Sequence, residues 1–301
     1  MRIMWRCTGL RWVSGGPVWT WWHPRLGDRR SPVRLGDPLA LAVQPGAVRR
    51  CTGVWRSGRW TPCPRAAELP AQARRDQCEQ CAALDRSRSV AADTRLDDPR
   101  PFAVYLAWFG PGLGKVGITA AERGSARLLE QAAICFTFLG RGPLMAARRT
   151  ETVLGTALGI PDRVSTSAKR AARAALPPAA AREAELRALH EAAAAVPDWR
   201  DTLAATAFQA VDHAAVFGLE PEAPRATAVV TGLAPGTALG GTVVAVAGGD
   251  VYLRTAGPAG GVLLLDSRLV PGWPLTSPAQ DMPAPPSKAL PPPTAPPEPL
   301  F

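Results

Sequence analysis

Four cysteines, Cys51, Cys63, Cys78 and Cys81, follow the spacing C-x11-C-x14-C-x2-C within 31 residues. Thiolates are ligands for zinc, and the Cys78-Glu79-Gln80-Cys81 knuckle lets two sulfurs reach one ion from a tight turn. Cys51 and Cys63 can close the tetrahedron, and four sulfurs leave no position open for water, so the expected ion is structural. Three other arrangements use the same residues: free buried cysteines, a redox pair at Cys78 and Cys81, or a ligand drawn from elsewhere. Cys7 is the candidate for the last, because Cys7-Thr8-Gly9 repeats as Cys51-Thr52-Gly53. Cys135 lies in an apolar run and reads as core. A second group carries charge at helical spacing: Arg123, Arg127 and Glu130 recur at intervals of four and three and share a face. Glu151, on a following helix, could hold a Mg²⁺ that keeps most of its waters, with an arginine opposite it to stabilise phosphate charge.

The elements that must position the second group lie between residues 102 and 165. Residues 104–109 form an apolar strand, 110–114 a Gly/Pro loop and 115–119 a second strand, followed by a helix over 120–133. A third strand over 134–139 and a helix over 144–158 complete the unit, stopped at Gly159-Ile160-Pro161-Asp162. Arg123 and Trp108, a basic and an aromatic group of this stretch, are candidate nucleic-acid contacts.

The net charge of +10 is placed unevenly, with 18 Lys+Arg against 9 Asp+Glu in the first 100 residues. Such asymmetry suits a polyanion-binding surface. It is also the usage of an arginine-rich, alanine-rich composition, since lysine occurs only at 115, 169 and 288. No apolar run approaches the roughly 20 residues of a membrane helix, and arginines interrupt the N-terminus where a signal core would lie, so the expected compartment is the cytoplasm.

Several of these residues resemble the signature of an uncharacterised bacterial family, domain of unknown function 2797. They are Val104-Tyr105-Leu106-Ala107, Lys115-Val116-Gly117-Ile118-Thr119, and Arg127 four residues before Gln131. The upstream cysteines, the Glu151 helix with Pro161-Asp162-Arg163, and later Gly-rich strands extend the likeness over residues 1–275. More distantly, the central stretch is similar to the GIY-YIG nuclease superfamily, which cuts phosphodiesters with one divalent ion. That resemblance implies that Tyr105 is the first-strand tyrosine that orients water, Arg127 the helical arginine on phosphate and Glu151 the metal ligand, with Gly117 matching the second-strand glycine. Lys115 stands where the second-strand tyrosine would be, as an electrostatic substitute. Singly, each residue has a plainer use: Tyr105 as a half-buried strand residue, Glu151 as a partner of Arg148.

Outside this stretch, residues 1–50 alternate apolar and polar with Gly/Pro turns and form short strands. Their tryptophans, Trp5, Trp12, Trp19, Trp21 and Trp22, either fill a small β core or stack bases beside arginines. Residues 164–219 are Ala-rich helices broken at Pro177-Pro178 and Pro197, and His23, His190 and His213 read as surface, hydrogen-bonded or packing residues. Residues 226–275 hold short β runs with Gly turns, expected as a small antiparallel barrel or sheet. The layout expected is α+β: a β module (1–50), a zinc module (51–95), a GIY-YIG-like module (101–165), helices (166–222), an antiparallel β module (223–275) and a disordered Pro-rich tail (276–301) that could bind a protein partner. Two functions fit it: a nucleic-acid-associated, divalent-metal phosphodiesterase, or a non-catalytic zinc-stabilised module that binds nucleic acid or protein.

Overall fold

The computed structural model describes residues 5–23, 25–56, 59–85, 98–161, 163–197, 199, 202–256 and 260–291. The end of the expected zinc module, residues 86–95, therefore falls outside the described residues, as do Asp162 and the end of the tail from 292. The chain opens with β1 (Arg6–Val13), β2 (Gly16–His23) and β3 (Gly27–Pro32) in one antiparallel sheet. Gly16, at φ 107°, occupies a backbone region that only glycine enters without strain at the β1–β2 turn. Trp12 and Trp19 fill the core at 5% and 1% exposure, while Trp21 and Trp22 keep partly open faces. β4 (Pro38–Val43) then departs from this sheet. β5 (Val54–Arg56) and β6 (Arg59–Thr61) form a small hairpin, and α1 (Glu79–Leu84) starts at Cys78.

β7 (Phe102–Trp108) is buried along its whole length, as an apolar run between two neighbours should be. It pairs antiparallel with β8 (Gly114–Ala120) on one side. The expected 120–133 helix is not continuous: a 3₁₀ turn at Ala121–Arg123 is cut by Gly124 at φ 48°, and α2 covers only Ala126–Glu130. A residue in that region cannot propagate right-handed helix. β9 (Cys135–Gly142) pairs with the other side of β7, and α3 (Leu144–Ala157) packs against β7 and β8 through Leu144, Ala147 and Leu154.

The Ala-rich region forms α4 (Thr166–Arg173) and α5 (Ala179–Ala195). Ser165 caps α4 by accepting the Ala168 N–H at 3.1 Å. The two-residue strands β10 (Ala204–Ala205) and β11 (Val211–Asp212) edge β9, and α6 (Ala214–Phe217) follows. His213 is buried, with Nδ1 3.0 Å from the Ala133 carbonyl oxygen.

The C-terminal strands β12 (Ala228–Val230), β13 (Ala238–Ala247), β14 (Asp250–Arg254) and β15 (Val262–Asp266) join β16 (Leu275–Thr276) and β17 (Ser287–Ala289) in a seven-stranded sheet ordered β16-β4-β13-β14-β15-β12-β17. This departs from the expected layout in three ways. β4, from the first 50 residues, is an inner strand, with Leu41 opposite Leu239. The sheet is not wholly antiparallel, since β12 and β15 run parallel. Residues 287–289 of the expected disordered tail form an edge strand whose Lys288 lies opposite Val229. Among the described residues no helix is long and apolar enough to cross a membrane.

Candidate functional site

Tyr105 on β7 lies directly opposite Gly117 on β8. The tyrosine ring occupies the space over that glycine: a Cβ at Gly117 would overlap Oη and Cζ and come within 2.8 Å of Cε2. Gly117 is thus the residue that lets the ring lie across the sheet. Gly117→Ala is expected to cost about 1–3 kcal/mol through overpacking and to swing Tyr105 out of place, read as a lower urea midpoint together with a changed tyrosine environment in near-ultraviolet circular dichroism. An unchanged midpoint would show that the ring has room to move.

Tyr105 is 1% exposed, and its hydroxyl accepts the Gln131 Nε2–H at 2.8 Å. Burial pushes the phenol above its ordinary pKa; the Gln131 bond and Arg127 oppose that, and the Glu151 carboxylate reinforces it. Tyr105 is therefore a neutral phenol at physiological pH, with its own proton left to donate. Arg127 and Glu151 thus both act on the Tyr105 hydroxyl, with opposite effects on its proton. Arg127 also sits 3.8 Å from Glu130, whose carboxylate makes a closer 2.7 Å pair with Arg123. Trp108, by contrast, is 0% exposed and belongs to the core, with no face to offer a base.

Beneath Gln131 lies Lys169, on α4. Its Nζ donates to the Gln131 carbonyl oxygen at 2.9 Å and stands 3.7 Å from the centre of the Phe109 ring. Burial lowers its pKa, and the positive charges of Lys115, Arg173 and Arg127 lower it further against the pull of Asp250, to about 7. The ammonium is thus poised to be lost near neutrality and to be restored by an arriving anion. Lys115, half-buried on β8, shares the face of Tyr105 and contributes to this field. Glu151, half-buried on α3, reaches Tyr105 with its charge, and one carboxylate of that kind is the protein share that a Mg²⁺ keeping most of its waters asks for.

α4 is held in place from the other side. Arg173, 2% exposed, pairs with Asp250 and donates from Nε to Tyr252 Oη at 3.1 Å, while Arg170 Nε reaches Asp250 at 3.0 Å. Asp266 pairs with Arg268 at 2.6 Å. The C-terminal sheet thereby sets the position of Lys169. Between α2, α4, β1 and the β13–β14 turn runs a cleft of about 560 Å³ whose lining includes Arg11, Arg74, Arg123, Arg127, Lys169 and Arg268, with Asp76, Glu130, Asp250 and Asp266 among them.

The four sulfurs of Cys51, Cys63, Cys78 and Cys81 lie within 4.8 Å of one another. A tetrahedral ion with bonds of about 2.3 Å needs sulfurs roughly 3.8 Å apart, so the donor set fits. Cys51 Sγ accepts the N–H groups of Cys78 at 3.2 Å and Gly53 at 3.4 Å, bonds that favour thiolate. Burial opposes ionisation of Cys63, but the backbone N–H groups of Ala67 and Arg65 and the neighbouring thiols bring it down to about 7. Cys7 stands apart from the cluster, wholly buried in β1, where burial pushes its thiol up to about 12. Cys135 is buried core as expected.

Sequence reasoning did not assign Gln131 or Lys169 a role. One signal was available: in a chain whose cations are nearly all arginine, two of its three lysines, Lys115 and Lys169, meet at this site. No curated protein and no solved structure matches the chain. A family model does, over residues 43–275, which span the cysteine cluster, Tyr105, Arg127, Glu151 and Lys169. The chain belongs to the family described as protein of unknown function (DUF2797).

Proposed function

We propose that this protein acts on nucleic acid as a divalent-metal-dependent phosphodiesterase with a site like that of the GIY-YIG nucleases, and that its cysteine cluster holds a structural zinc. The observation that carries the proposal is the hydrogen bond from Gln131 to the Tyr105 hydroxyl, with Arg127 and Glu151 acting on the same phenol, at the wall of a cationic cleft that Arg127 and Gln131 line. Glu151 would hold the divalent ion, which when bound supplies Lewis acidity and a water of lowered pKa. Arg127, Lys115 and Lys169 grip the phosphate and neutralise the charge that develops on it. Tyr105, fixed by Gln131, donates a hydrogen bond that orients the attacking water. Lys169 gains its full charge from the negative charge of the phosphate beside it.

A second reading has its own support. Tyr105 stays protonated and Lys115 replaces the second tyrosine, which suits a scaffold that binds nucleic acid or protein without cutting it. The two separate in one assay: Mg²⁺-dependent cleavage of single- and double-stranded DNA and RNA by wild type and Glu151→Ala. The phosphodiesterase predicts that the substitution lowers the rate by at least roughly 10²-fold. Cleavage that survives unchanged sinks the mechanism, and a flat log-log salt dependence of binding removes nucleic acid altogether. A cytoplasmic location is proposed with this role. So is a protein-binding role for the Pro-rich end, confined to residues beyond β17, whose strand pairing occupies 287–289.

A further inference from the structure

A second cavity, of about 160 Å³, opens beside the main cleft, and Thr8 and Arg11 line both. Its other walls come from the N-terminal sheet and the cysteine module: Trp21 and Trp60, with Arg29 and Arg30 at one side. Trp60 is held rigid, its indole N–H donating to the Thr52 carbonyl oxygen at 2.8 Å and its ring 4.6 Å from that of Trp22. Trp21 Nε1 donates to Ser31 Oγ at 3.0 Å. Both rings are only partly buried. Polar groups converge on the same space: Gln77, which donates to the Gly53 carbonyl oxygen at 2.8 Å and to Asp85 at 2.5 Å, and the Thr20 hydroxyl, 2.8 Å from that of Thr8. Asp28 and Asp85 are the acids at this rim, so the cavity is suited to a group with hydrogen-bond donors and a flat face, whereas the cationic cleft beside it suits a phosphate.

We infer that the small cavity receives one unpaired base of a single-stranded nucleic acid whose backbone crosses Arg11 into the main cleft, with the neighbouring phosphates on Arg29 and Arg30. Three features favour a single strand over a duplex. The cavity is of the order of one heterocyclic base in volume, two tryptophans stand in its wall, and a base can enter it only after leaving its pair and its stack. Charge and stacking then act on the same ligand from two adjoining spaces. The inference rests on the nucleic-acid reading proposed above and adds the strandedness of the substrate and a contact outside the reacting centre.

The test titrates the full chain with short homopolymeric single strands of DNA and RNA and with a duplex, following tryptophan fluorescence and anisotropy, in Mg²⁺-free buffer. Single strands should bind more tightly than the duplex and quench tryptophan. Trp60→Ala should weaken single-strand binding by roughly 5- to 150-fold, the range for removal of one base stack, and Trp60→Phe should restore most of it. Arg29→Ala with Arg30→Ala, both exposed positions, should reduce the log-log salt slope by about 1.4, or ~0.7 for each single-strand phosphate that is no longer neutralised. Equal affinity for single strand and duplex, or wild-type binding by Trp60→Ala, overturns the base site. If cleavage is nonetheless abolished in Glu151→Ala, the phosphodiesterase reading stands without it; if no nucleic acid binds at any salt concentration, both fall.

Discussion

Chelating the metal from the cysteine cluster, or replacing Cys78 and Cys81 by serine, is expected to unfold residues 51–81 and to abolish binding in the basic cleft. The magnitude follows from what else could hold this segment. Among the described residues its own apolar cluster consists of Cys51, Val54, Cys63 and Cys81, with Ala67, Leu69 and Cys78 packed on it, so the ligands are most of that cluster. Four-cysteine zinc sites contribute on the order of 10–16 kcal/mol to the folding of such modules, against roughly 5–15 kcal/mol for the net stability of a whole domain. The loss would not stay local. Arg49, 1% exposed, donates to the Pro271 carbonyl oxygen at 2.9 Å and the Arg268 carbonyl oxygen at 3.0 Å, and it also touches the carbonyl of Ala73 in the loop between Cys63 and Cys78. That loop carries Arg74 and Asp76 into the cleft. Native mass spectrometry should find one zinc per chain, absent from the double serine variant, and thermal denaturation should show the metal-free form melting earlier and less cooperatively. A metal-free chain with an unchanged melting curve would mean that the sulfurs are ordinary core.

Asp250→Ala is expected to be the most damaging substitution away from the cysteines, costing about 3–5 kcal/mol because it strands a buried charge. Arg173 is 2% exposed and has Asp250 as its carboxylate partner, with Arg170 on the same acid. Removing the acid strands Arg173 in a desolvated space, while Arg170 keeps Asp266 at 3.4 Å. Arg173→Met in the same chain should recover much of the loss, since an apolar side chain of similar length needs no counter-charge. Urea unfolding of the single and double variants measures both. Acid should act on the same network through Asp266: burial would raise its pKa, but the Arg268 hydrogen bonds and charge, with Arg170, hold it below the ordinary value. A depressed carboxylate stabilises the fold above its unfolded pKa of about 3.9, and that contribution disappears as the pH falls through the folded value. A double variant as weak as Asp250→Ala alone would show that the network's worth does not lie in pairing Arg173.

How far these features were legible in the sequence depended on the range of the interactions that create them. The β7–β8 hairpin follows from an apolar run, a Gly/Pro turn and a second run, all local, and the ends expected for it differ from those observed by one or two residues. The cysteine cluster was legible because ligand chemistry demands proximity whatever the chain does between the ligands. The helix expected at 120–133 is too long because alanine and leucine propensity gives no weight to Gly124, whose positive φ cuts it. Trp108 reads as a candidate nucleic-acid contact in the sequence because an aromatic in a strand looks the same whether the strand's faces are covered or not; here β7 is an inner strand with α3 and α5 packed on it, and the ring is enclosed. Lys169 escapes a sequence reading because it reaches Gln131 from a different helix, placed by Asp250 about 80 residues further on. Nothing local to α4 encodes that distance.

The pairing of β4 with β13 bears on how the protein is made. Leu41 leaves the ribosome about 200 residues before Leu239, its partner. At synthesis rates of roughly 5–20 residues per second, an apolar strand therefore waits on the order of 10–40 s with its edge unmatched. Its other neighbour, β16, emerges later still. During that interval the nascent chain exposes a template for wrong β partners, which makes this protein a candidate client for chaperones that shield unpaired strands, and one whose yield should respond more to translation speed than to the stability of the finished fold.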